Sequence, residues 1–111
     1  MPGKLTTHVL DTANGRPAAG MAIELRRIDG DGSGTIRRVS TNEDGRTDKP
    51  LLEGGDFVEC TSELWFDVGA YFGDAAFLDR VPVRFRVSDA TRNYHVPLLC
   101  TPWSYSTYRG S

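Results

Sequence analysis

Two histidines, two arginines and a polar closing run carry the chemistry available in these 111 residues. His8 sits in "LTTHVLD" and His95 in "YHVPLLC". An imidazole near its ordinary pKa of ~6.5 both takes and gives a proton at neutrality, so the pair suits acid–base work. Arg46 in "EDGRTD" and Arg109 in "TYRGS" each offer a planar fork of donors that grips a carboxylate, a ureide or another planar anion. Either arginine also serves as a plain solvated charge, and the residue alone does not choose. Around Arg109, Tyr105 and Tyr108 make the closing run a good strand. Gly110 lets the backbone turn there, and Ser111 brings a hydroxyl.

Other chemistries are poorly served. Neither histidine has the i, i+2 or i, i+4 partner that usually builds a zinc site, and no Cys, Asp or Glu stands ready as a third ligand, so neither a metal nor another cofactor is expected. "DGDGSG" fits the first half of a calcium loop, but position twelve falls on Ser40 instead of a bidentate glutamate, which leaves a hairpin loop. No Ser or Cys stands in a nucleophile setting, which favours activated water over a covalent intermediate. Cys60 and Cys100 are too few and too far apart for a disulfide framework and read as reduced, half-buried strand residues, with a single bridge between them the open alternative.

The elements that must position these groups are strands. In "LTTHVLD", Leu5, Thr7 and Val9 alternate with Thr6, His8 and Leu10, the pattern of a strand with one face on a core and His8 midway along the other. The same period of two predicts strands over 21–28, 35–40, 60–66, 81–87, 94–100 and 104–109, seven in all, joined by turns rich in Gly, Asp and Asn. Pro97 places the strand carrying His95 at an edge or a bulge. Only "DVGAYFGDAAF" has helical spacing, with Val68, Tyr71 and Phe72 on one face behind Asp67 as N-cap. The sum is one domain, residues 1–111, all-β: a two-sheet sandwich with one short helix.

Composition narrows the partners. Thirteen Lys and Arg against fifteen Asp and Glu leave no broad basic face for nucleic acid. No apolar run reaches membrane-span length, and "MPGKLTTHVLD" lacks the apolar core of a secretory signal, so a cytoplasmic protein is expected.

Taken together, "LTTHVLDTANGRPA", "TNEDGRTD", "FDVGAYF" and "YHVPLLCTPWSYSTYRGS" resemble the 5-hydroxyisourate hydrolases, transthyretin-like enzymes of purine breakdown, from Leu5 to Ser111. The resemblance implies a transthyretin-like sandwich assembled as a homotetramer, a dimer of dimers with its sites in the channel between dimers. It implies 5-hydroxyisourate as substrate, His8, Arg46 and His95 as catalytic residues, and Tyr108, Arg109, Gly110 and Ser111 as substrate-binding residues. Transthyretin itself sets the rival expectation, a carrier holding an aromatic ligand in the same channel. A third, an interaction module, gives the closing run no role. One departure from the family pattern stands out: Cys100 and Thr101 replace the usual Leu-Ser, with Thr101 keeping the hydroxyl.

Overall fold

The computed structural model describes residues 3–29, 32–73 and 77–110. In chain order its strands are β1 (Lys4–Thr6), β2 (Val9–Asp11), β3 (Arg16–Pro17), β4 (Ala22–Asp29), β5 (Gly32–Ser40), β6 (Leu52–Glu53), β7 (Cys60–Asp67), β8 (Arg80–Val87), β9 (Tyr94–His95), β10 (Leu98–Cys100) and β11 (Tyr105–Thr107). One α-helix, α1 (Val68–Phe72), follows β7 and stops where Gly73 turns left-handed at φ 78°. Asp67 holds the N-cap position, yet its side chain makes no capping hydrogen bond.

Long alternating runs build one layer of the sandwich, the antiparallel sheet ordered β5-β4-β7-β8. The other layer comes in two pieces, β6-β1-β9 and β11-β10-β2-β3. Its centre is parallel: β1 pairs with β9, setting Thr6 opposite His95, and β2 pairs with β10. Hydrogen bonds from Val96 N–H to the Thr6 carbonyl (2.9 Å) and from Leu98 N–H to the His8 carbonyl (3.0 Å) carry the pairing across the break between the pieces.

That break corrects two sequence expectations. "LTTHVLD" is two strands with His8 in the gap, and 94–100 is likewise interrupted at Val96 and Pro97. The physical reason is an intruding turn: the Val9 N–H is taken by the Gly45 carbonyl at 2.8 Å, so no neighbouring strand receives it. Pro97 has no N–H to offer a ladder at all. β9 lies at a sheet edge as its proline suggested, whereas β10 lies inside its sheet, between β11 and β2. The short strands β3 and β6 have too few residues to show a period.

Leu5, Val9 and Leu98 from one layer meet Ile23, Leu25, Leu64 and Phe66 from the other in a single buried cluster. Burying each such side chain stabilises the fold by ~1.5–3 kcal/mol. Their neighbours along the strands face outward, which is how core packing dictates that Thr6, His8 and His95 stay partly accessible. Cys60 and Cys100 are both buried and free. Burial pushes the Cys100 thiol up to about 11, which removes it from chemistry at neutral pH.

Candidate active site

Parallel pairing is the device that gathers the candidate residues. Thr6 and His95 are 89 positions apart in sequence, yet the Thr6 hydroxyl lies 2.9 Å from His95 Nδ1. On the other edge of that imidazole, Gly110 donates its N–H to the His95 carbonyl at 2.7 Å. A Cβ at Gly110 would sit 2.6 Å from His95 Cδ2, closer than real Cβ contacts come, so only glycine allows the closing segment to lie against the ring.

The turn at residues 42–46 brings in the second histidine and an arginine. Asn42 folds it: the Asn42 side-chain carbonyl accepts the N–H groups of Asp44 (2.9 Å) and Arg46 (3.2 Å), and Asn42 N–H donates to the Arg46 carbonyl at 2.7 Å. Gly45 is left-handed at φ 76°, and a Cβ there would lie 2.3 Å from the Val9 carbonyl oxygen. The turn is thereby clipped against the start of β2. His8 closes the clip from the other side, with Nε2 2.9 Å from the Asp44 carbonyl. Arg46, at the end of the turn, joins Thr6, Thr7 and Pro50 around a recess of about 180 Å³.

Electrostatics tie these groups together. Burial, then the Arg46 guanidinium, then His8 push the His95 pKa below its ordinary 6.5. That direction favours the neutral imidazole at pH 7, in which one ring nitrogen donates a hydrogen bond and the other accepts one. Among the described residues no group of three His, Cys, Asp or Glu side chains converges in a way that would hold a metal ion.

The other expected residues divide. Arg109 is anchored, its guanidinium 4.4 Å from the centre of the Tyr94 ring and donating to the Asn93 carbonyl at 3.2 Å. With Thr91, Arg92, Asn93 and Gly110 it borders a separate shallow recess. Tyr108 is 60% exposed and makes no hydrogen bond among the described residues, and Ser111 lies outside them. Thr101 uses its hydroxyl, accepting the N–H groups of Trp103 (3.0 Å) and Ser104 (2.9 Å), so the departure from Leu-Ser keeps the turn before β11. Two residues went unnoticed in the sequence, Thr6 and Tyr94. Thr6 was visible on the His8 face, but nothing local marked it as a partner of His95.

Fold and candidate site together define a class: a small all-β sandwich whose outer face joins two imidazoles and a guanidinium to its closing segment. Comparison makes the class specific, since the HIUase/Transthyretin family matches residues 5–110, and the chain belongs to that family. It is similar to 5-hydroxyisourate hydrolase 2 of Rhizobium meliloti, 56% identical over 98% of this chain and 97% of the relative. Among solved structures it resembles 5-hydroxyisourate hydrolase of Klebsiella pneumoniae, with TM-score 0.84, 30% identity, and 98% of this chain and 99% of that one covered. It also resembles sea bream transthyretin in complex with thyroxine, with TM-score 0.88, 27% identity, and coverage of 96% and 94%. No helix among the described residues is long and apolar enough to cross a membrane.

Proposed function

We propose that this chain hydrolyses 5-hydroxyisourate. Water adds to the ring carbonyl beside the hydroxylated carbon, the adjoining ring C–N bond breaks, and the nitrogen leaves with a proton as the ureido NH₂ of 2-oxo-4-hydroxy-4-carboxy-5-ureidoimidazoline. The observation that carries this reading is the meeting of His95 with Thr6, Gly110, the charge of Arg46 and the imidazole of His8, in a chain 56% identical to a protein named for that activity.

His8 serves as the base that activates water. Its Nε2 faces a backbone carbonyl, which only accepts, so the ring proton sits on Nε2 and the lone pair on Nδ1. Arg46 orients the planar substrate and stabilises charge developing on the attacked oxygen. Tyr108, Arg109 and Gly110 take part in substrate binding on the His95 side, and the same role is assigned to Ser111 by the family resemblance alone. The working unit is a homotetramer in the cytoplasm. Support for association comes from aromatic surface left uncovered in one copy: Phe77 and Trp103, stacked at 6.4 Å and 68% and 64% exposed, with Tyr105 and Tyr108 nearby in sequence.

The test is ultraviolet decay of freshly made substrate, read against spontaneous decay, with circular dichroism of the product. Acceleration by the parent, lost in His8→Ala, His95→Asn and Arg46→Ala, is the expected result. Parental rates in all three variants would sink the assignment. The transthyretin likeness supports a carrier only if thyroxine binds saturably while no hydrolysis occurs, because burying an iodinated aromatic against two imidazoles and a guanidinium leaves polar groups unpaired.

A further inference from the structure

Thr6 is the residue whose hydroxyl the proposed chemistry has so far left without a task. It reaches His95 through sheet register: the parallel pairing of β1 and β9 sets the two residues opposite one another, and the Thr6 carbonyl accepts the Val96 N–H at 2.9 Å. The hydroxyl is 2.9 Å from His95 Nδ1.

A hydroxyl beside an imidazole nitrogen either donates to it or accepts from it, and the two cases put the ring proton on opposite nitrogens. The surroundings decide. Burial and the Arg46 guanidinium favour the neutral form of His95, in which only one of its nitrogens carries hydrogen. Among the described residues the Thr6 hydroxyl has a single hydrogen-bond partner, Nδ1, and no carbonyl or carboxylate to which it could otherwise donate. Donation to Nδ1 satisfies both groups, whereas acceptance leaves the hydroxyl proton without a partner in this chain.

We infer that Thr6 is a positioning residue: by donating its hydroxyl to Nδ1 it holds His95 as the Nε2–H tautomer, so that this ring offers the substrate a hydrogen-bond donor and no lone pair. Set beside His8, the arrangement is complementary. Both rings carry hydrogen on Nε2, but Thr6 occupies Nδ1 of His95 while the Asp44 carbonyl occupies Nε2 of His8. What remains free is a donor on one ring and a lone pair on the other. His8 takes the proton of the attacking water and, as the imidazolium so formed, hands it on to the departing ring nitrogen, while neutral His95 donates a hydrogen bond from Nε2 to the carbonyl oxygen. The kinetic meaning of this inference rests on the hydrolase reading, and the tautomer does not.

The experiment therefore has two arms. Imidazole nitrogen shifts and two-bond correlations of ¹⁵N-labelled protein near pH 7.5 should show His95 protonated at Nε2 in the parent and in Thr6→Ser, and a mixture of tautomers in Thr6→Val. In the second arm, kcat on 5-hydroxyisourate should fall at least about tenfold in Thr6→Val with KM nearly unchanged, and recover in Thr6→Ser. Hydrogen on Nδ1 of His95 in the parent overturns the inference, and so does a Thr6→Val protein with parental kcat and tautomer. If the tautomers behave as stated while no variant and no parent hydrolyses substrate, the Thr6 assignment stands and the hydrolase reading falls.

Discussion

Gly110 packs directly against the side chain of His95. The contact leaves no room for a side chain, since a methyl there would meet Cδ2 at 2.6 Å. Gly110→Ala should therefore tilt the imidazole or lift the closing segment while leaving the core intact. Misplacing a reacting group by ~1 Å costs on the order of 100-fold in rate. The expected outcome is a loss of that order in kcat with a melting temperature close to the parent's, measured by substrate decay and thermal denaturation.

Arg46 bears on His95 through space. With that positive charge removed in Arg46→Met, the neutral imidazole loses part of what keeps it neutral, and the His95 pKa should rise toward 6.5. The direction has a stability counterpart. A histidine whose folded pKa is depressed stabilises the fold fully above 6.5 and progressively less as pH falls toward its folded value, because the unfolded chain binds the proton first. Proton NMR titration of His95 in both proteins checks the shift, and an unchanged midpoint would remove Arg46 from its neighbourhood.

On the opposite layer, Glu24 gathers Arg26, Arg38 and Arg80, with the Thr35 hydroxyl donating at 3.0 Å. The Arg26 hydrogen bond is the main cause that lowers its carboxyl from 4.5 to about 2, against the opposing effect of burial. Its contribution to stability is complete above pH 4.5, declines as pH falls, and is gone below about 2. Glu24→Gln should accordingly be less stable than the parent at pH 7 in urea denaturation, with the gap narrowing as the buffer is acidified through that window.

Tyr71 pins helix α1 to the end of β2. Its hydroxyl donates to Asp11 Oδ2 at 2.8 Å, and Asn14 donates twice more at 2.9 Å. Burial alone would push the Asp11 carboxyl up, and these hydrogen bonds outweigh it, leaving the group below its ordinary 3.8. Tyr71→Phe removes one donor from a buried acceptor and should cost ~1 kcal/mol in urea unfolding. No loss at all would mean that water replaces the phenol.

Much of this was legible in the residues. Alternation located the long strands β4, β5, β7 and β8 to within a few positions; β7 and β8 do keep one face on the core, whereas β5 is exposed along its described burial positions except for half-buried Val39. Alternation also put Thr6 and His8 on one face. Adjacency was not legible, since a parallel pair joining Thr6 to His95 across 89 positions leaves no local pattern in either segment. Nor was the gap at His8, which is made by a carbonyl from the turn at 42–46 and not by any residue of its own strand. Arg46 and Gly110 could be suspected from their motifs, but their reasons for being where they are, a clipped turn and a glycine-only contact, are three-dimensional.

The pairing of β1 with β9 and of β2 with β10 has a kinetic corollary. Contacts that close nearly the whole polypeptide into a loop form late, since their entropy must be met before they return any energy, and sheets dominated by them fold in milliseconds to seconds. Competence should consequently reappear after dilution from urea together with the final recovery of native fluorescence, with no half-assembled species capable of turnover.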